Sequence, residues 1–213
     1  MTKLAIFDVD FTLTKKETLI QFYLFMLKNN IKYIIYLPKV LIAGLFYGLK
    51  LFSAKQSKQV FISFLKGVSE EDLSEISSDF YESKLSKIIY NEAHETIKKR
   101  KAEGCKIYLI SASPEFYLNE LYEIKEIDRI IGTKLEIIDG VYTGKFFGDN
   151  CKGEEKVKRL YEVISKEGLE VDYENSYMYS DSLSDLPLFK IVGNPFLINY
   201  KKRSKNISIL KWK

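Results

Sequence analysis

A short apolar run that ends in two acids constrains this chain more than any other stretch. Leu4–Phe7 has the length of a buried strand, and Asp8 and Asp10 follow it with only Val9 between them. Two carboxylates beside an apolar core repel each other and are poorly solvated, so the pattern indicates a cation or cationic side chain next to them. A solvated acidic turn is the alternative, and this motif alone does not decide between the two.

Two later apolar runs also end in polar side chains. Lys106–Ile110 stops at Ser111, and Ser176–Tyr179 is followed closely by Asp181 and Asp185. Helical patterns separate these runs, which predicts right-handed crossovers and a mainly parallel sheet covered on both faces. Ligands bind outside the carboxyl ends of the strands in such sheets. We therefore expect the three polar clusters to form one site.

The sequence predicts an α/β fold, a three-layer Rossmann-like core with an inserted all-helical domain. Residues 1–14 and 86–213 form the predicted core, and residues 15–85 form the insertion because their apolar pattern is helical throughout. We also expect a hairpin that turns at Asp139-Gly140, and a last strand over 196–198 before a basic tail.

Composition limits the class of protein. At 213 residues, with 46% hydrophobic and 29% charged residues, the chain is long enough for one sizeable core and reads as globular. The net charge of +4 is too small to indicate a nucleic-acid partner, although it favours anionic substrates or surfaces, and its densest cluster is 201–205. Cys105 and Cys151 form no disulfide framework, and no signal peptide is apparent, so we expect a cytoplasmic protein.

The segment Ile31–Phe52 is apolar enough to raise the question of a membrane. Three lysines and Pro38 interrupt it, and its longest uninterrupted apolar run, Val40–Leu49, is too short to span a bilayer. We expect the apolar residues of 19–27 and 33–52 to form the core of a small helical bundle. The alternative is that they meet a membrane surface or an amphiphilic substrate, together with the tail ending Lys211-Trp212-Lys213.

Four carboxylates and a hydroxyl, with no histidine among them, favour Mg²⁺, a hard cation held by oxygen. Such an ion polarises a phosphoryl group, and a neighbouring carboxylate can attack it to form an aspartyl-phosphate. Asp10 could then protonate the leaving oxygen and activate water. Ser111 and Lys152 could bind the phosphoryl oxygens. Taken alone, Ser111 is better explained as a strand-end cap and Lys152 as a surface lysine.

The order of these motifs resembles that of the haloacid dehalogenase superfamily, in its phosphoserine phosphatase-like branch. The matching stretches are Asp8-Val9-Asp10-Phe11-Thr12, then Ser111, then Lys152-Gly153-Glu154, then Asp181-Ser182-Leu183-Ser184-Asp185. The resemblance implies a hydrolase of small phosphorylated substrates, with 15–85 as a cap domain whose closure excludes water.

The resemblance also implies roles for individual residues: Asp8 as nucleophile and Asp10 as general acid and base, with Mg²⁺ held by Asp8, the Asp10 carbonyl and Asp181. Phosphate ligands are implied at Ser111, with the Ala112 backbone beside it, and at Lys152. Thr12 and Asp185 would support the site, and Glu17 matches the acid that holds the substrate amine in phosphoserine phosphatases.

Three positions depart from the pattern of that branch. Phe11 stands where a glycine or another small residue is usual, and Ser184 replaces the usual asparagine. Near Phe61, where the carboxylate-binding arginine would align, Lys58 is the closest cation. The missing bidentate group argues against phosphoserine itself as the substrate.

The sequence leaves three matters open. A phosphatase of a lipid phosphate and a non-catalytic binding protein on the same fold are the alternatives to a phosphatase of small substrates. The sequence names neither the substrate nor the oligomeric state.

Overall fold

The computed structural model describes residues 1–204 and 206–213. The strands are β1 (Leu4–Phe7), β2 (Lys106–Pro114), β3 (Ile127–Thr133), β4 (Leu135–Ile138), β5 (Val141–Phe146), β6 (Tyr177–Ser180), β7 (Asn194–Ile198) and β8 (Ser208–Leu210). Six of them form a parallel sheet in the order β3-β2-β1-β6-β7-β8, and β4 and β5 form an antiparallel hairpin. The predicted parallel α/β sheet is confirmed.

The α-helices are α1 (Thr18–Asn29), α2 (Leu37–Gly48), α3 (Ala54–Phe61), α4 (Glu70–Phe80), α5 (Asn91–Ala102), α6 (Glu115–Leu118), α7 (Glu154–Glu167) and α8 (Leu186–Phe189). Shorter helical turns include Ile31–Tyr36 between α1 and α2, and Ile62–Leu65 after α3. All named elements between residues 15 and 85 are helical. We call this part of the chain the cap.

Alternation along β1 builds three layers, because successive side chains of a strand point to opposite faces of the sheet. Ala5 and Phe7 belong to one apolar cluster, which includes α5 and the inner part of the cap. Leu4 and Ile6 belong to a second cluster, which contains the apolar residues of α7 and α8. The central strand β1 is therefore buried on both faces, and its end lies between its neighbours β2 and β6.

The hairpin of β4 and β5 binds to the cap. The backbone N–H of Gly67 donates to Tyr142 O at 2.9 Å, Tyr142 N–H donates to Val68 O at 2.9 Å, and the Gln59 side chain donates to Gly144 O at 2.9 Å. Gly144 has φ +74°, and a Cβ there would lie 3.2 Å from Cβ of Lys66. Glycine thus permits the close approach of hairpin and cap.

The expectation of a bundle core for the cap is right for one segment and wrong for the other. Leu19, Phe22 and Met26 of α1 are buried, and Phe22 packs against aromatic rings of the core such as Tyr117. In contrast, α2 is largely exposed, with Ala43 as its buried residue. The stretch Ile31–Gly48 is long and apolar enough to cross a membrane by length and composition, and only 11% of it is buried.

The C-terminal tail also differs from the prediction. It contains an additional strand, β8, which pairs with β7. Trp212 is buried and lies against Tyr179 and Tyr90, with ring centroids 6.2 and 6.0 Å apart. The indole therefore belongs to the core and is not available to a membrane. Lys205, part of the predicted basic cluster, lies outside the described residues.

Candidate active site

The turn after β1 brings the first and fourth motifs together. Asp8 N–H donates to Tyr179 O at 2.9 Å, and the Thr12 hydroxyl accepts a hydrogen bond from Asp181 N–H at 2.8 Å. Thr14 N–H closes the turn on Val9 O at 2.9 Å. These bonds tie the carboxyl ends of β1 and β6 to each other, so Asp8 and Asp181 lie at the same edge of the sheet.

Phe11 adopts a strained conformation within this turn. Its φ of 57° lies in the left-handed region, where glycine is comfortable and a bulky residue is not. Its ring is 47% exposed at the mouth of the cavity described below. The backbone geometry explains why a small residue suits this position, and the sequence nevertheless places an aromatic ring there.

A buried lysine connects two of the acids. The Lys156 ammonium donates to Asp8 Oδ1 at 2.8 Å and to Asp185 Oδ2 at 2.7 Å. All three side chains are buried. Ser180 Oγ also donates to Asp185 Oδ2, at 2.9 Å. The cationic side chain expected beside Asp8 is thus present, on α7.

Negative charge remains in excess at this site. Burial raises the pKa of Asp8 to about 7, while Lys156 opposes this shift and the neighbouring Asp185 and Asp10 add to it. Burial and repulsion from Asp185 and Asp10 raise the pKa of Asp181 to about 6. For Lys156, burial lowers the pKa, but attraction to Asp8 and Asp185 outweighs burial and raises it. The cluster therefore favours an additional cation.

Asp10 is held by the cap and by β2. Its Oδ1 accepts hydrogen bonds from the backbone N–H and the hydroxyl of Thr18, both at 2.7 Å, and its Oδ2 accepts from Ser113 Oγ at 2.6 Å. Thr18 is the first residue of α1, so the carboxylate also lies at a helix N-terminus. Thr18 and Ser113 escaped the sequence analysis, because short hydroxyl side chains carry no distinctive pattern.

A cavity of about 560 Å³ lies between the core and the cap. The predicted site residues that line it are Asp8, Asp10, Glu17, Ala112, Lys152, Asp181 and Asp185. Two others are buried nearby: Thr12 bonds Asp181 as described, and Ser111 Oγ accepts a hydrogen bond from Ser113 N–H at 3.1 Å. The implied role of Ser111 as a phosphate ligand stays a prediction.

Lys152 is not the lysine that touches Asp8. It precedes α7, is exposed and lines the cavity, whereas Lys156 lies one helical turn later and makes the two ion pairs. Asp185, expected to support the metal or Lys152, makes its ion pair with Lys156. The sequence does contain a pattern that indicates the burial of Lys156. Lys156, Leu160 and Ile164 follow one another at four-residue intervals, which places all three on the buried face of α7.

The cap contributes a second pair of charged groups. Lys58 Nζ donates to Ala112 O at 3.0 Å, which places the cap's ammonium at the end of β2. Glu17 caps α1 by accepting from Ile20 N–H at 2.7 Å. Burial and the nearby Asp10 raise the pKa of Glu17 to about 7, against the opposing effects of that hydrogen bond and Lys58. Lys58, the cation closest in sequence to the missing arginine, therefore lines the cavity.

The donor set fits a magnesium ion. In the described part of the chain no group of three or more His, Cys, Asp or Glu side chains is arranged to hold a metal. A magnesium site, however, needs only one or two carboxylates, with waters and substrate oxygens completing the shell. Asp8 and Asp181 are the carboxylates that could serve. Asp185 Oδ1 is buried without a hydrogen-bond partner among the described residues, which leaves an acceptor for metal-bound water.

Comparison with known proteins decides the family. The model of the haloacid dehalogenase-like hydrolases matches residues 5–190. The chain is a haloacid dehalogenase-like hydrolase. A histidinol-phosphatase of Neisseria meningitidis is 32% identical over 133 residues, which cover 62% of this chain and 60% of that protein. A phosphoserine phosphatase of Mycobacterium tuberculosis is 22% identical over 98% of this chain and 68% of its own length.

The fold of this hydrolase is shared over its whole length with a solved structure. A Bordetella pertussis protein, described as having unknown function, superposes with a TM-score of 0.86 at 22% identity, covering 99% of both chains. The predicted haloacid dehalogenase membership, in the phosphoserine phosphatase-like branch, is confirmed. The chain spans 60–68% of the length of the two named relatives.

Proposed function

We propose that this hydrolase is a Mg²⁺-dependent phosphatase that cleaves a phosphomonoester through a phospho-aspartyl intermediate on Asp8. The observation that carries this proposal is the pair of bonds from Lys156 to Asp8 and Asp185 at the base of a cavity that Asp10 and Asp181 also line. The names of the two relatives, both phosphatases, support the same class of reaction.

Asp8 is the nucleophile in this proposal. Lys156 holds Oδ1, so Oδ2 attacks phosphorus and the bond from phosphorus to the leaving oxygen breaks. Asp10 gives its proton to that oxygen. In the second half, Asp10 takes a proton from water, and the water oxygen bonds to phosphorus. The acyl-phosphate bond then breaks, which releases inorganic phosphate and restores Asp8.

The remaining groups stabilise charge and orient the substrate. Lys156 favours the ionised form of Asp8 against the effect of burial, and Lys152 adds positive charge at the rim of the cavity. Asp8, Asp181 and the Asp10 carbonyl would hold Mg²⁺, which supplies a Lewis acid for the phosphoryl oxygens. Lys58 and Glu17 face the organic part of the substrate from the cap.

Location in the cytoplasm is part of the proposal. Cys105 and Cys151 are both free and buried, as expected for a reducing compartment.

Hydrolysis of an aryl phosphate by the purified chain tests this function. We expect release of the phenol with Mg²⁺, loss of activity with a chelator, and a fall of about 1,000-fold or more in Asp8→Asn. The matched control is Asp79→Asn, since Asp79 is exposed on α4 and distant in sequence from every motif. Equal activity of Asp8→Asn and the control would refute the assignment of the nucleophile.

A further inference from the structure

The cap exposes an unusually apolar surface. Seven of its aliphatic side chains are 50–70% exposed: Ile31, Ile35, Leu41, Ile42, Leu45, Leu49 and Leu51. We call these seven residues the cap apolar face. An exposed aliphatic residue is ordinary when it stands alone, but this many within residues 31–51 mark a surface that binds something apolar.

Helix α2 joins this surface to the active site. Successive helical residues are rotated by about 100°, so Val40, Ala43, Gly44 and Tyr47 share one side of α2, and these four line the cavity. Leu41, Ile42 and Leu45 lie on the opposite side. One thin helix therefore separates the cavity from the cap apolar face.

The charge of the cap selects an anionic partner. Residues 18–69 contain seven lysines and no aspartate or glutamate. Lys28, Lys39 and Lys50 are exposed close in sequence to the apolar residues, and Lys55 is ion-paired with Asp149. An apolar surface bordered by lysines is what a helix lying on an anionic bilayer presents.

The place of the segment in the fold favours lying on a bilayer over crossing it. Ile31–Gly48 has the length of a span, but one side of α2 lines the cavity and would be withdrawn from it in a crossing helix. Lys32 and Lys39 also interrupt the segment. Phe11 adds a further exposed ring at the cavity mouth, on the core side.

We propose that the cap apolar face docks on an anionic lipid bilayer, so that the cavity receives a phosphomonoester whose apolar part remains in the lipid. This inference rests on the proposed phosphatase function for its substrate and on the cap alone for its surface. It reverses the preference of the sequence analysis, which favoured a bundle core for the same residues.

Sedimentation with vesicles tests the docking surface without any need for activity. We expect the full chain to sediment with vesicles of mixed phosphatidylglycerol and phosphatidylcholine, and less with phosphatidylcholine alone. Leu41→Glu/Leu45→Glu should weaken binding by about tenfold or more, because two carboxylates replace inserted side chains. The matched control is Ile138→Glu/Phe147→Glu, which adds the same charge at exposed positions outside the cap apolar face.

Hydrolysis separates the surface from the chemistry. Both double variants should cleave a soluble aryl phosphate as the unmodified chain does, whereas Leu41→Glu/Leu45→Glu should cleave phosphatidic acid in vesicles about tenfold more slowly. The emission of Trp212, the sole tryptophan, verifies that each variant is folded.

Three outcomes would overturn the docking proposal. The unmodified chain could stay in the supernatant, the two double variants could sediment equally, or the chain could bury the face in a lipid-free oligomer and ignore vesicles. Sedimentation as expected without any phosphatase activity would instead refute the proposed function and leave the docking surface standing.

Discussion

The ammonium of Lys156 is the positive charge that two buried carboxylates share. Removing it leaves Asp8 and Asp185 buried without a counter-charge. Deleting one partner of a buried ion pair lowers the free energy of unfolding by about 3 kcal/mol or more. Lys152 is exposed at the cavity rim, and both of these ion pairs belong to Lys156. The two lysines are four residues apart, so they form a matched comparison.

Lys156→Met should lower kcat by about 100-fold or more and lower the free energy of unfolding by about 3 kcal/mol. Lys152→Met should leave stability within about 0.5 kcal/mol and act mainly on KM. Aryl phosphate kinetics and urea unfolding measure both effects. The assignment of the buried lysine is wrong if Lys152→Met proves the more damaging of the two.

Glu17 should make stability depend on pH. Its folded pKa of about 7 exceeds the ordinary 4.5, so the folded state binds more protons between these values and stability falls as pH rises through that window. Glu17→Gln removes this loss. As pH rises from 4.5 to 8, we therefore expect the free energy of unfolding of the variant to increase by about 1 kcal/mol relative to that of the unmodified chain. Urea unfolding in metal-free buffer measures this difference. A difference between the two proteins that does not change with pH would contradict the burial of this acid.

The site residues show what a sequence can reveal at the residue scale. Asp8, Asp10 and Asp181 stand out because acids directly follow strand-like apolar runs. Lys152 matches the third motif together with Gly153 and Glu154, whereas Lys156 is distinguished only by its position on the buried face of α7. Ser113 and Thr18 bond Asp10 only because the chain folds β2 and α1 together.

Among the elements, the strands with apolar runs were the predictable ones. The edge strand β8 has three residues and follows a lysine-rich stretch, so its own sequence carries little strand signal. Its place is fixed by tertiary packing: it pairs with β7, and Asn199 binds Trp212 N–H at 2.9 Å. The tail is therefore part of the sheet.

Trp212→Ala should destabilise the protein by about 3–5 kcal/mol, because it removes a buried ring packed on Tyr179 and Tyr90. Lys211→Ala, at an exposed neighbour, should change stability by less than about 0.5 kcal/mol. Circular dichroism during urea unfolding reports both values. Equal stability of the two variants would show that the tail does not belong to the core.

At the scale of the whole molecule, the layered core and the helical cap follow from the sequence, but the exposure of the cap does not. Hydrophobic periodicity shows that a helix has apolar sides and does not show what covers them. In α1 the apolar side is covered, because Phe22 packs against Phe80 and Tyr117. In α2 one side faces the cavity and the other is exposed.

The central claim is that Asp8 becomes covalently phosphorylated during turnover. Borohydride reduces an aspartyl-phosphate to homoserine, so the enzyme is quenched with borohydride during hydrolysis of an aryl phosphate with Mg²⁺ and digested for mass spectrometry. We predict homoserine at position 8, dependent on both substrate and Mg²⁺. Turnover that leaves position 8 as aspartate under these conditions, or that places the modification on another carboxylate, would contradict the account.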